Sequence, residues 1–216
     1  MAIKERKLWN FVYGLTQKIS ILDMANLKAF IVCIFLSFVT GVQAQKNKKV
    51  LVTYYSKTNA TELMANAVAK GVESNKEVQL IFKSIEQTSQ EDLLQADAII
   101  LGSPVYNANA APEVLDFIRK WPFENKALKD KVGAVFVTAG GISAGEELVQ
   151  VNLLHAMMIY GMVVMGGDEW TAAFGASAIT HENPFEVDKT KNIDPIFLNK
   201  GFALGKRVAE WVKRIK

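Results

Sequence analysis

The chain is poor in the residues that most often carry side-chain catalysis. Its 216 residues include one cysteine and two histidines. Cys33 lies in an apolar run near the N-terminus, so the remainder of the chain has no thiol, which excludes disulfides and cysteine nucleophiles there. His155 and His181 are far apart and have no clustered carboxylates around them. They give neither a metal-ligand spacing nor a Ser-His-Asp arrangement. His155, among Leu153, Leu154 and Met157, reads as a packed or surface residue, and His181, in Thr180-His181-Glu182-Asn183, as a solvated one. Internal repeats, low-complexity tracts and Pro/Gly-rich linkers are absent. So is an excess of one charge. Residues 1–44 hold Lys4, Arg6, Lys7, Lys18 and Lys28 against Glu5 and Asp23; removing these from 25 basic and 22 acidic residues leaves 20 of each over 45–216. A neutral domain gives no electrostatic case for nucleic acid.

The N-terminal region reads as a leader. Ala29 to Val39 is apolar apart from Ser37, Lys28 precedes it, and Val42-Gln43-Ala44 follows with small residues at its first and third positions. This is the charged, apolar and cleavage-site order of a secretory signal peptide. The run is shorter than the about 20 residues of a membrane span. We therefore expect a leader over 1–44, one domain over 45–216, and export after cleavage near Ala44, with an N-terminal membrane anchor as the alternative. Met24 opens a more usual signal than Met1 does. The twin arginine of a folded-export signal is missing, Arg6 being flanked by Glu5 and Lys7.

Residues 50–61 carry the clearest chemistry. A β-branched and aromatic run, Val50-Leu51-Val52-Thr53-Tyr54-Tyr55, stops in the hydroxyl-rich Ser56-Lys57-Thr58-Asn59-Ala60-Thr61, and a helical pattern follows at once. A strand feeding a hydroxyl loop into a helix N-terminus makes an anion site: the first helical amides lack partners and the macrodipole places positive charge there. Further strands are expected at Val78–Phe82, Ala96–Leu101 (stopped by Gly102-Ser103-Pro104), Val132–Thr138 and Met162–Met165. Helices are expected at 61–73, Pro112–Ile118, Glu146–Tyr160 and Asn199–Arg214, with a turn near Glu91–Leu94. Alternating strands and helices, with strands that are apolar throughout, imply an α/β fold whose parallel sheet is covered on both faces. Five strands with a phosphate loop after the first suit the order 2-1-3-4-5, whose ligand crevice lies at the switch point.

These residues resemble a known family. Ser56 to Thr61 is similar to the flavodoxin phosphate loop, Ser/Thr-x-Thr-Gly-x-Thr. Gly102-Ser103-Pro104-Val105-Tyr106-Asn107-Ala108-Asn109 resembles the second loop of flavodoxin-like quinone reductases. Lys131 to Phe136, Tyr160 to Gly166, and Phe174-Gly175-Ala176-Ser177 resemble later segments of the same group. The resemblance covers most of 49–214 and is nearest to the tryptophan-repressor-binding-protein type of FMN-dependent NAD(P)H:quinone reductase. It implies a flavodoxin-like three-layer sandwich and FMN as cofactor. The phosphate would lie on Ser56, Lys57, Thr58, Asn59, Ala60 and Thr61. Ser103, Pro104, Val105, Tyr106 and Asn107 would run beside the ring, with Asn109 bracing them, and Thr138, Ala139, Gly140 and Gly141 would cover its other side. It also implies NAD(P)H as donor, a quinone or similar acceptor, and a dimer or tetramer in which the stretch Gly167 to Asp194 is the candidate interface. A one-electron flavodoxin and a flavin-free binding module remain as alternatives. The sequence departs from the pattern at three places: Asn59 replaces a Gly, Tyr106 and Asn107 replace an Arg and an aromatic, and the reductases' active-site His falls on Ser143.

Overall fold

A computed structural model describes residues 10, 13, 47–185 and 193–215. Except for Asn10 and Tyr13, the leader, its cleavage site and Met24 lie outside the described residues, as do 186–192 of the candidate interface stretch. The chain divides between Lys46 and Asn47, and the fold is built from the second unit. Among the described residues no helix is long and apolar enough to cross a membrane.

The strands are β1 (Lys48–Tyr54), β2 (Val78–Ser84), β3 (Ala98–Tyr106), β4 (Asn109–Ala110), β5 (Val132–Ala139), β6 (Val163–Val164) and β7 (Ala176–Ile179). The helices are α1 (Ala60–Glu73), α2 (Gln90–Gln95), α3 (Pro112–Arg119), α4 (Glu146–Ile159) and α5 (Pro195–Arg214). Local chemistry sets the helix starts. Ser89 and Asp92 form a reciprocal capping box on α2. Pro112 and Pro195 occupy first-turn positions where a missing N–H costs nothing.

The sheet runs β2-β1-β3-β5-β6, with parallel pairing along this path. It has the expected flavodoxin-like order, with one refinement: seven strands occupy five lanes. β4 is a two-residue antiparallel partner of β3. β6 and β7 share the lane beside β5, the first paired with Val132 and Gly133 and the second with Phe136 to Ala139. The expected single strand at Met162–Met165 is therefore split. The chain leaves the sheet after Met165, whose N–H donates to Gly133 O, makes a 3-10 turn at Trp170–Ala172, and re-enters at Ala176. Gly175 permits that return: its φ is +135°, and a Cβ there would lie 2.3 Å from Val135 O.

β3 also runs farther than expected, through Pro104 to Tyr106. Gly102 O accepts from Tyr55 N–H on the β1 side. Period two puts the N position of Pro104 on that same side, where β1 has already ended, so no ladder bond is lost.

Alternation along β1 builds both cores. Val50, Val52 and Tyr54 pack under α1 and α5, whereas Leu51 packs with Ile99, Leu101 and Val135 under α2, α3 and α4. Both faces are dry, and each such side chain contributes about 2 kcal/mol of burial. α1 and α5 approach backbone to backbone. A Cβ on Gly71 would meet Phe202 O at 2.0 Å, and one on Gly205 would meet Val68 O at 2.0 Å. This layering places the ends of β1, β3 and β5 side by side at one edge.

Candidate functional site

Three loops meet at that edge, those after β1, β3 and β5, and they lie at the point where the chain turns from β2 on one side of β1 to β3 on the other.

The β1 loop presents donors. Among the described residues, the N–H groups of Ser56, Lys57, Thr58, Asn59, Ala60 and Thr61 donate to nothing. Lys57, Thr58 and Asn59 are exposed, and Ser56 and Ala60 are half-buried. Asn59 holds φ 67°, ψ −15° and supplies the carbonyl that accepts Leu63 N–H at 2.9 Å. Asn is among the few residues that take this conformation at small cost, which is how the loop keeps its curl without the glycine of the related pattern. Ser56 Oγ accepts from Glu62 N–H at 3.3 Å, and its own proton has no acceptor among the described residues. Thr61 and Thr138 are buried, with their hydroxyls 2.8 Å apart. One donates to the other, which leaves one proton for a third partner. This pair ties the β1 loop to β5.

The β3 loop is a hairpin. Tyr106 pairs with Asn109 across Asn107 and Ala108, whose φ values are 49° and 60°. Two successive positive φ values are those of a type I′ turn, the turn that matches strand twist. Asn109 Nδ2 donates to Asn107 O at 2.9 Å and holds the turn closed. Ser103 is fully buried: its Oγ donates to Pro104 O at 2.8 Å and accepts from Ala111 N–H at 3.1 Å. Its side chain therefore braces the loop. Val105 is half-buried, and Tyr106 presents its ring at the surface. Burial and the Glu113 carboxylate raise the Tyr106 phenol. Tyr55 lies alongside and donates to Glu113 Oε1 at 2.8 Å. That bond, then burial, pushes its pKa up to about 12.

The β5 loop is held by a segment distant in sequence. Ala139 O accepts both Thr180 N–H and Thr180 Oγ1–H at 3.0 Å, and Gly140 O accepts His181 N–H at 2.9 Å. Glu182 Oε2 accepts Ile142 N–H at 2.6 Å. The N–H groups of Gly140 and Gly141 are left uncommitted among the described residues. Ser143, where the related reductases carry His, has φ 59° and donates its N–H to Glu146 Oε1 at 2.9 Å.

The sixteen candidate residues thus fall on three adjoining loops and on the strand and helix ends that border them. Thr180, His181 and Glu182 were not expected at the site. The bonds to them span about forty residues and leave no periodic mark; the one legible sign was a polar cluster directly after an apolar strand.

Residues 62–177 match the family model described as NADPH-dependent FMN reductase. A flavodoxin of Clostridium saccharobutylicum is 30% identical over 173 residues, spanning 77% of this chain and 99% of its own length. A flavodoxin of Aquifex aeolicus is 28% identical over 174 residues, spanning 76% and 86%. Among solved structures, the WrbA-like flavodoxin of Agrobacterium tumefaciens superposes with a TM-score of 0.65 at 20% identity, covering 78% of this chain and 99% of that one. Fold, loop order and these matches agree, and the chain belongs to the flavodoxin-like family that the NADPH-dependent FMN reductase model describes.

Proposed function

We propose that the protein binds FMN at these three loops and passes electrons from NAD(P)H to a quinone or a similar small acceptor. One observation carries the reading: six successive uncommitted amides curl around a helix N-terminus, with the hydroxyls of Ser56, Thr58 and Thr61 beside them. This donor set fits a phosphate monoester, which needs many N–H and O–H donors and no single cation. Tyr106 on one side and the open amides of Gly140 and Gly141 on the other fit a flat heteroaromatic ring with a carbonyl-bearing edge. Bound FMN would supply the redox chemistry itself. The chain's share is to hold the phosphate, orient the ring, and offer N–H donors where negative charge accumulates on reduction.

The reductase family model supports NAD(P)H as the donor. The flavodoxin relatives support a second reading, a one-electron carrier. The balanced charge of residues 45–216 favours the enzyme, because an electron carrier gains from a one-signed surface that steers its partners. Titrating the purified chain with FMN, then with NADH and NADPH under argon, separates the readings. Loss of the visible flavin absorbance on adding a dinucleotide supports the reductase. Retention of that absorbance until a reduced partner protein is added supports the carrier, and failure to take up FMN removes both. We further propose action outside the cytoplasm, and a homo-oligomer formed through the stretch that carries Trp170 and Phe174, which are 87% and 44% exposed. Sedimentation as a fully active monomer would contradict the latter.

A further inference from the structure

We propose that His181 is the proton donor and acceptor of this site, a role resting on the FMN reading above. Of the two histidines, His155 is exposed on the outer side of α4, away from the three loops. His181 is joined to the β5 loop itself. Its backbone N–H is bound to Gly140 O at 2.9 Å, and its Nδ1 lies 3.9 Å from the position a Cβ on Gly140 would take. The segment is clamped on both sides, by Thr180 on Ala139 and by Glu182 on Ile142. The imidazole is exposed, so a molecule lying over Gly140 and Gly141 can reach it.

The hydrogen-bond partners are compatible with one tautomer that suits this role. Thr180 Oγ1 has one proton, and Ala139 O accepts it at 3.0 Å. The same oxygen lies 2.7 Å from His181 Nδ1; with its proton given to Ala139 O it accepts there, which in this proposal places the neutral ring's proton on Nδ1. The neutral ring therefore keeps a bare Nε2, which can take a proton and return it. The charged groups packed on this loop are Glu182 and Glu146, and each has spent one oxygen on a loop amide. Among the described residues His181 is the one imidazole of the β5 loop and the 180–182 segment.

The step balances. A quinone becomes a hydroquinone by gaining one hydride and one proton. The hydride comes from the reduced cofactor, which returns to its oxidised form. The proton comes from Nε2 of the His181 imidazolium to the quinone oxygen, and the imidazole regains one from solvent. Thr180 acts through His181 and is a positioning residue.

The test needs no dinucleotide. In the chain labelled with 15N-histidine and assigned with H155Q, long-range 1H–15N spectra should show neutral His181 protonated on Nδ1, and T180V should abolish that preference. After loading with FMN and reduction by dithionite, mixing with benzoquinone should be about 10²-fold slower in H181Q than in the unmodified chain. FMN affinity in H181Q should stay within about threefold of that of the unmodified chain. H155Q should match the unmodified chain. An Nε2-protonated neutral ring, or an unchanged benzoquinone rate in H181Q, overturns the proposal. Failure of NADH to reduce the flavin overturns only the donor assignment, since dithionite still reports on His181.

Discussion

The two sides of the site are built by opposite strategies. The β1 loop is local: its donors come from consecutive residues 56–61, and the helix that orients them begins within the same stretch. The β5 loop is remote: its path from Ala139 to Ile142 is fixed by Thr180, His181 and Glu182, which reach it only because β7 re-enters the fifth lane. A local site survives as long as its own residues can take the required angles. A remote site depends on every element between its parts. Among the described residues, Thr61 and Thr138 are the hydrogen-bonded pair that joins the β1 loop to the end of β5.

The contrast can be broken most severely at Gly175. G175A should cost about 3 kcal/mol or more, since a Cβ meets Val135 O at 2.3 Å in a backbone conformation that disfavours side chains. Urea unfolding would measure this loss. Hydrogen exchange should show protection lost at Thr180 and His181 while the β1–α1 region keeps its own. Next, N59V should cost about 2 kcal/mol by forcing a β-branched residue to φ 67°. It should weaken FMN binding about tenfold, whereas N59G should bind as the unmodified chain does. T61V leaves a buried Thr138 hydroxyl without its partner and should cost about 1–2 kcal/mol. The double variant T61V/T138V should recover part of that, and a thermal double-mutant cycle would report the coupling between the two sides. S56A removes the acceptor for Glu62 N–H and should cost about 1 kcal/mol. Smallest is E182A, about 0.5 kcal/mol in urea, because the freed Ile142 N–H is exposed to water.

The same division separates what the sequence discloses from what it does not. β1, α1 and the loop between them could be read from Val50 to Val68, because a β-branched run, hydroxyls and a 3.6 period are neighbours in the chain. The five-lane order followed from alternating elements and apolar strands. The split fifth lane could not be read, because β6 has only two residues and β7 is recognisable only by its pairing with Phe136–Ala139. Pro104 looked like a strand stop because its acceptable position depends on β1 ending at Tyr54, a fact about the neighbouring strand. The bracing role of the Ser103 hydroxyl could not be read either, since its partners, Pro104 O and Ala111 N–H, are set by the hairpin. His181 reads as solvated and is exposed, but its backbone bond to Gly140 O, about forty residues away, left no mark in the sequence.

Calorimetric titration of the purified chain with FMN and with riboflavin, side by side, tests the phosphate loop most directly. The two ligands share the ring and differ in the phosphate. The expected result is FMN binding at least about 100-fold tighter than riboflavin, a difference of about 2.7 kcal/mol, with about half of that margin, a factor of about ten, lost in N59V. Equal affinities, or a margin untouched by N59V, would contradict the assignment of residues 56–61 as the phosphate cradle.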